Sequence, residues 1–189
     1  MKEKMILGLD ISTSTIGWSV LPLEGFSPVL GFIPLSKLEN LYSKASRFKE
    51  VLLELSEKYD IQEVFIEEDL KRFRRGFSSA STLQMLSRFN GMSSLIVYQT
   101  LDLTPTLVNV NKARKMIGVS IDRKDKTKPT KDKVFEWVVK DLGSSVIWPT
   151  KVLKSGPRKG LEILITECGD MSDGYVISKA GQVILSQGR

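Results

Sequence analysis

Four acidic residues, Asp10, Glu67, Asp170 and Asp173, stand in a chain of 189 residues that contains no histidine. Histidine is the usual general base near neutral pH and the commonest metal ligand, so hydrolytic chemistry here falls to carboxylates, lysine and bound ions. Carboxylates brought together repel one another, and relieving that repulsion by protonation alone needs large pKa shifts. Divalent ions relieve it directly, and an all-oxygen donor set suits hard cations, Mg²⁺ or Mn²⁺. Two such ions about 3.5 to 4 Å apart can activate a water and stabilise the leaving oxygen of an in-line phosphoryl displacement, which makes phosphodiester hydrolysis the natural reaction. Taken singly, each acid has an ordinary reading as a turn or helix cap. Their combination is what points to a site.

The elements that must carry these acids can be read in order. Met5 to Leu9 is an apolar run ending at Asp10, and Ile16 to Leu21 resumes it after a Ser/Thr turn, which predicts two paired strands; Val29 to Ile33, between prolines, is a third. Leu38, Leu41, Ala45, Phe48, Leu52 and Leu55 recur at helical spacing. Val64 to Ile66 predicts a strand ending at Glu67 and Glu68, and alternation after Phe65 favours Glu67 for the cleft. A long helix is expected over Ser78 to Leu101, a strand over Thr106 to Val110, a short helix stopping at Gly118, and a helix over Lys131 to Leu142 ending at Gly143. Lys151–Leu153 and Leu161–Ile165 flank a Gly/Pro turn and predict a basic hairpin. Asp170 to Gln187 has helical periodicity, with Asp170 and Asp173 sharing one face of its first turn. In an open α/β sheet, side chains at the carboxyl ends of neighbouring strands converge on one crevice, within reach of that helix.

Composition narrows the setting. With 41% hydrophobic residues the chain supports one well-buried core, and the expected organisation is a single domain over 1–189 with an insertion at about 146–169. The one cysteine, Cys168, excludes an intrachain disulfide and reads as a small buried side chain in a reducing compartment. The charged start lacks the apolar region of a signal peptide and no stretch suits a membrane span, so a soluble, non-secreted, cytoplasmic protein is expected. Lysine and arginine number 28 against 22 acids, a formal charge of +6. That surplus gathers at Lys71, Arg72, Arg74 and Arg75; at Lys112, Arg114 and Lys115; at Arg123, Lys124, Lys126, Lys128, Lys131 and Lys133; and at Lys154, Arg158 and Lys159. Cationic walls beside an acidic cleft suit a nucleic-acid backbone, with Phe73 available for stacking on a base.

The pattern Gly8-Leu9-Asp10-Ile11-Ser12-Thr13-Ser14-Thr15-Ile16-Gly17-Trp18, then Ile66-Glu67, then Asp170-Met171-Ser172-Asp173-Gly174-Tyr175, resembles the RuvC family of Holliday-junction resolvases in the RNase H-like superfamily. The resemblance implies an α/β fold with a mixed five-stranded sheet flanked by helices and a hairpin insertion in the C-terminal half. It also implies a homodimer and paired metal-dependent nicks at four-way junctions and other branched DNA, in a bacterial or phage-infected cell. Asp10, Glu67, Asp170 and Asp173 match the family's metal-binding acids, with two Mg²⁺ (or Mn²⁺) ions and no small-molecule cofactor. Lys131 best matches the family's catalytic lysine, with Lys133 close behind; Lys112 or Lys115 matches a second basic position. Two departures stand out: Gly174 where alanine is common, expected to loosen the helix by up to about 1 kcal/mol, and a segment from Val146 to Gly169 longer than in short bacterial members, more like virus- or phage-type relatives. Other readings are an RNase H-like nuclease for RNA or RNA–DNA hybrid, a fragment of an actin-like or sugar-kinase-like ATPase, and a catalytically dead DNA-binding module.

Overall fold

The computed structural model describes residues 2–68, 80–121 and 127–188. Five strands, β1 (Lys4–Ile11), β2 (Thr15–Pro22), β3 (Val29–Pro34), β4 (Asp60–Glu67) and β5 (Thr106–Val108), form one sheet in the order β3-β2-β1-β4-β5. The first three strands meander antiparallel, whereas β4 runs parallel to β1 and β5 parallel to β4. The expected mixed five-stranded sheet is therefore present. The β1–β2 turn is closed by Ser12, whose backbone N–H donates to the Thr15 carbonyl at 3.2 Å while its Oγ donates to the same carbonyl at 2.6 Å.

Helices cover both faces, which explains why β1 reads as a continuous apolar run. On one side Leu7, Leu9, Ile16, Val20, Val64 and Ile66 pack against α1 (Leu41–Lys58) and α2 (Ala80–Leu101) through Phe48, Leu52, Phe89 and Val97. On the other, Ile6, Leu21 and Phe65 meet α3 (Val110–Met116), α4 (Thr130–Leu142) and α5 (Cys168–Gln187) through Ala113, Val134, Val138, Tyr175, Val176 and Ile177. By strand alternation Asp10 shares the face of Ile6 and Glu67 that of Phe65, the α5 side of the sheet.

Several boundaries differ from expectation by a few residues, among them β4, which begins at Asp60, and α5, which begins at Cys168; two of the differences have clear local causes. The helix expected from Leu38 starts at Leu41, because Asn40 forms a capping box: its Oδ1 accepts from the N–H groups of Tyr42 and Ser43 at 3.0 Å, and Ser43 Oγ accepts from Asn40 N–H. The strand expected to reach Val110 stops at Val108, because Asn109 caps α3. Gly118 (φ 81°) and Gly143 (φ 53°) end α3 and α4 in left-handed conformation, as expected. The hairpin is present as β6 (Thr150–Val152) paired with β7 (Glu162–Leu164). Among the described residues, no helix is long and apolar enough to cross a membrane.

The seat of α5 depends on small residues. A Cβ at Gly17 would lie 1.8 Å from the Asp170 carbonyl oxygen, and one at Gly8 would lie 2.6 Å from that of Gly174. From the helix side, a Cβ at Gly174 would come within 2.9 Å of the Gly17 carbonyl carbon and the Trp18 nitrogen. Gly174 is thus more than a weak point in the helix, because alanine there would strike the sheet backbone. Ser178 Oγ lies 3.1 Å from Ser19 Oγ in the same buried seam.

Candidate active site

The close seat of α5 brings its first turn beside the end of β1. Asp173 is 8% exposed, and Asp10 and Glu67 are partly buried. Asp10 has its pKa pushed well above the usual carboxylate range, first by burial and then by the charges of Glu67, Asp173 and Asp170; Lys131 offsets this only in part. The four acids singled out in sequence therefore share one electrostatic environment. A cleft at the strand ends is lined by Asp10, Ser12, Glu67 and Glu68 and, from α2, by Leu83 and Asn90. Asn90 Nδ2 donates to the Glu67 carbonyl at 3.0 Å, tying α2 to the end of β4.

Two cations answer the helix acids. Lys131, at the start of α4, donates from Nζ to Asp170 Oδ1 at 2.6 Å. Burial pulls the Lys131 pKa down, but the hydrogen bond and charge of Asp170, with Asp173 and Asp10 beyond, outweigh it and the net direction is upward. Arg114 of α3 donates from Nη2 to Asp173 Oδ1 at 3.3 Å. Its Nε is buried without a hydrogen-bond partner among the described residues. Burial raises the Asp173 pKa against the opposing pull of Arg114 and Lys131, and the net direction is again upward.

An ion fits the chemistry of this centre. The donors are all carboxylate oxygens, and the negative charge that lifts Asp10 is what a divalent cation would neutralise. Among the described residues no three of these groups stand together as a ready ion site. Asp170 and Asp173 each engage Lys131 or Arg114 through Oδ1, so an ion would share these carboxylates with a cation or displace it.

The remaining candidates are distributed unevenly. Lys112 and Lys115 are exposed on α3 and Lys133 is half-buried on α4. Arg114, expected on the DNA-binding surface, faces Asp173 instead of open solvent. Lys71, Arg72, Phe73, Arg74, Arg75 and Lys124 lie outside the described residues. Sequence reading missed the Arg114–Asp173 pair and the glycine seat. The only signal for either was the run of small residues Gly8, Gly17 and Gly174 next to the acids.

A mixed sheet of this order with helices on both faces defines an RNase H-like α/β fold, here with acids at the ends of β1 and β4 and on α5. Within that fold the likeness is to the RuvC type. The chain is 39% identical over 70 residues to the crossover junction endodeoxyribonuclease RuvC of Bacteroides fragilis, a match covering 35% of this chain and 37% of that protein, so about a third of the relative's length. Its fold is similar to that of Thermus thermophilus RuvC in complex with Holliday junction substrate, with a TM-score of 0.65 at 14% identity over 98% of this chain and 96% of that one. The yeast mitochondrial Holliday junction resolvase Ydc2 gives 0.53 at 15% identity over 98% and 80%. No family model matches the chain.

Proposed function

We propose that the chain is a metal-dependent, structure-selective endodeoxyribonuclease that cuts four-way junctions and other branched DNA. The observation that carries this reading is that Asp10 feels the charges of Glu67, Asp170 and Asp173 at the strand ends, with Lys131 hydrogen-bonded to Asp170 beside them. The substrate class is supported by the similar proteins: a crossover junction endodeoxyribonuclease, a RuvC in complex with Holliday junction substrate and a mitochondrial Holliday junction resolvase. Asp10, Glu67, Asp170 and Asp173 would hold two Mg²⁺ or Mn²⁺ ions, which when bound supply an activated water and stabilise the leaving oxygen. Lys112, Lys115 and Lys133, with the basic residues of 71–75 and Lys124, would hold phosphates around the cut. Homodimerisation through α2 is supported by its exposed apolar side chains, Met85, Leu95 and Tyr98.

Lys131 carries its proton beside the acids, so it is placed to neutralise charge that develops on the phosphate or to assist the leaving oxygen. Lys131→Ala is expected to lower turnover by about 10²-fold with junction affinity changed little. Single-turnover cleavage and anisotropy titration measure the two separately, and an equal loss in both would make Lys131 a phosphate clamp. The reading as a whole is tested by incubation with Mg²⁺ and a labelled four-way junction, a linear duplex and an RNA–DNA hybrid. Paired nicks in the junction are expected; preferential cutting of the hybrid would replace this reading with a ribonuclease.

A further inference from the structure

The β6–β7 ribbon contributes to neither core of the molecule. Val146 and Trp148 at its foot pack on the α5-side core, and Trp148 meets Phe135 of α4 edge-on at 5.0 Å, but no residue from Thr150 to Leu164 joins either cluster. A two-stranded ribbon is marginal in water on its own. This one nevertheless exposes Val152 (58%) and Leu161 (54%). It also presents Lys151, Lys154, Arg158 and Lys159, all exposed and none in an ion pair with a described residue. No acid occurs between Lys151 and Leu161, and Glu162 is taken up by a cross-strand hydrogen bond from Thr150.

The ribbon is rooted at the candidate active site. Ile165 N–H donates to the Pro149 carbonyl at 3.2 Å, closing the foot, and Cys168 N–H donates to Ile165 at 3.3 Å as the chain enters α5, whose first turn carries Asp170. A self-paired cationic strand pair anchored there has the dimensions to enter a major groove. We propose that the β6–β7 ribbon is a DNA-seating arm that lies along a duplex arm of the substrate, with its four cations on phosphates and Val152 and Leu161 against the groove. The inference rests on the nuclease reading and extends it by assigning duplex contact to an element outside the acidic cleft. At about 3.4 Å per residue the three paired residues of each strand extend roughly 10 Å from the foot, and Lys154, Arg158 and Lys159 lie in the turn beyond them.

The test uses the full chain with Lys151, Lys154, Arg158 and Lys159 all changed to Ala, in chelator, titrated by anisotropy against a four-way junction and a linear duplex over a salt series. The plot of log Kd against log salt is expected to flatten by about 3 to 4 units on both probes, since each released phosphate contact contributes about 0.9. The unfolding temperature should not change. A second variant, Val152→Ser with Leu161→Ser, is expected to weaken binding with the slope unaltered. Wild-type slopes in the fourfold variant overturn the seating arm while leaving the nuclease reading in place. Ribbon-dependent binding of linear duplex, with no binding or cutting of the junction, overturns the junction reading and leaves the arm. Failure of the wild-type chain to bind either DNA overturns both.

Discussion

Asp10→Asn is expected to reduce Mg²⁺-dependent cleavage by at least ~10³-fold, the rate equivalent of about 4 kcal/mol of charge stabilisation, while leaving the metal-free protein as stable as wild type or more so. The second half follows from the sign of the electrostatics. Burial and three neighbouring acids raise the Asp10 pKa, so the folded state disfavours its charge. An amide of the same shape removes that repulsion. In chelator the Asn variant should therefore unfold at or above the wild-type temperature. Added Mg²⁺ should raise the wild-type midpoint, through preferential binding to the native state, more than that of the variant. Calorimetry with and without Mg²⁺, beside a cleavage assay, separates a metal ligand from a structural aspartate. Full cleavage by the variant would remove the carboxylate centre as the seat of reaction.

Among the described glycines, Gly17→Ala should be the most damaging added methyl group. Its Cβ would sit 1.8 Å from the Asp170 carbonyl oxygen and 2.2 Å from the carbonyl carbon, both helix backbone with no rotamer to yield. Overpacking commonly costs about 1 to 3 kcal/mol, and a backbone collision belongs at the upper end. At about 3 kcal/mol a protein of this size loses roughly 6 to 12 °C in Tm. Because the residue displaced is Asp170 itself, cleavage should fall as well, even below the new midpoint. Gly91→Ala is the control: nothing lies within 4 Å of a Cβ there, and alanine is the better helix former by up to about 1 kcal/mol. Equal midpoints for the two variants would show that α5 can lift from the sheet at little cost.

The acids and the strands that carry them were legible because both signals are local. An apolar run ending in an acid, and two acids three residues apart at a helix start, need no knowledge of the rest of the chain. The preference for Glu67 over Glu68 rests on the same local rule, that a strand alternates with period two, and both glutamates line the cleft. Helix ends were less so: Asn40 and Asn109 each announce a cap, but apolar periodicity runs past them, from Leu38 in one case and to Val110 in the other. What the sequence alone could not give was pairing across long separations. Arg114 looks like one member of a basic run, and only the packing of α3 against α5 turns it toward Asp173. Gly174 looks like a helix defect until Gly17, far back in the chain, is placed beneath it.

Helix α5 is held along its length. Gly17 and Gly174 fix its start, Ser19 meets Ser178 in the middle, and Lys179 bonds to Asp141 of α4, beside the Tyr175 hydroxyl that donates to the same carboxylate and within 5.3 Å of the Trp137 ring. A helix gripped in this way works as a ruler. The interval between its two carboxylates and the sheet is set when the chain folds, before any ion arrives, and an arriving ion has only side chains to rearrange. On the proposed reading, the adjustable neighbours of an arriving ion would be Lys131 and Arg114, whose hold on Asp170 and Asp173 it would have to share or loosen.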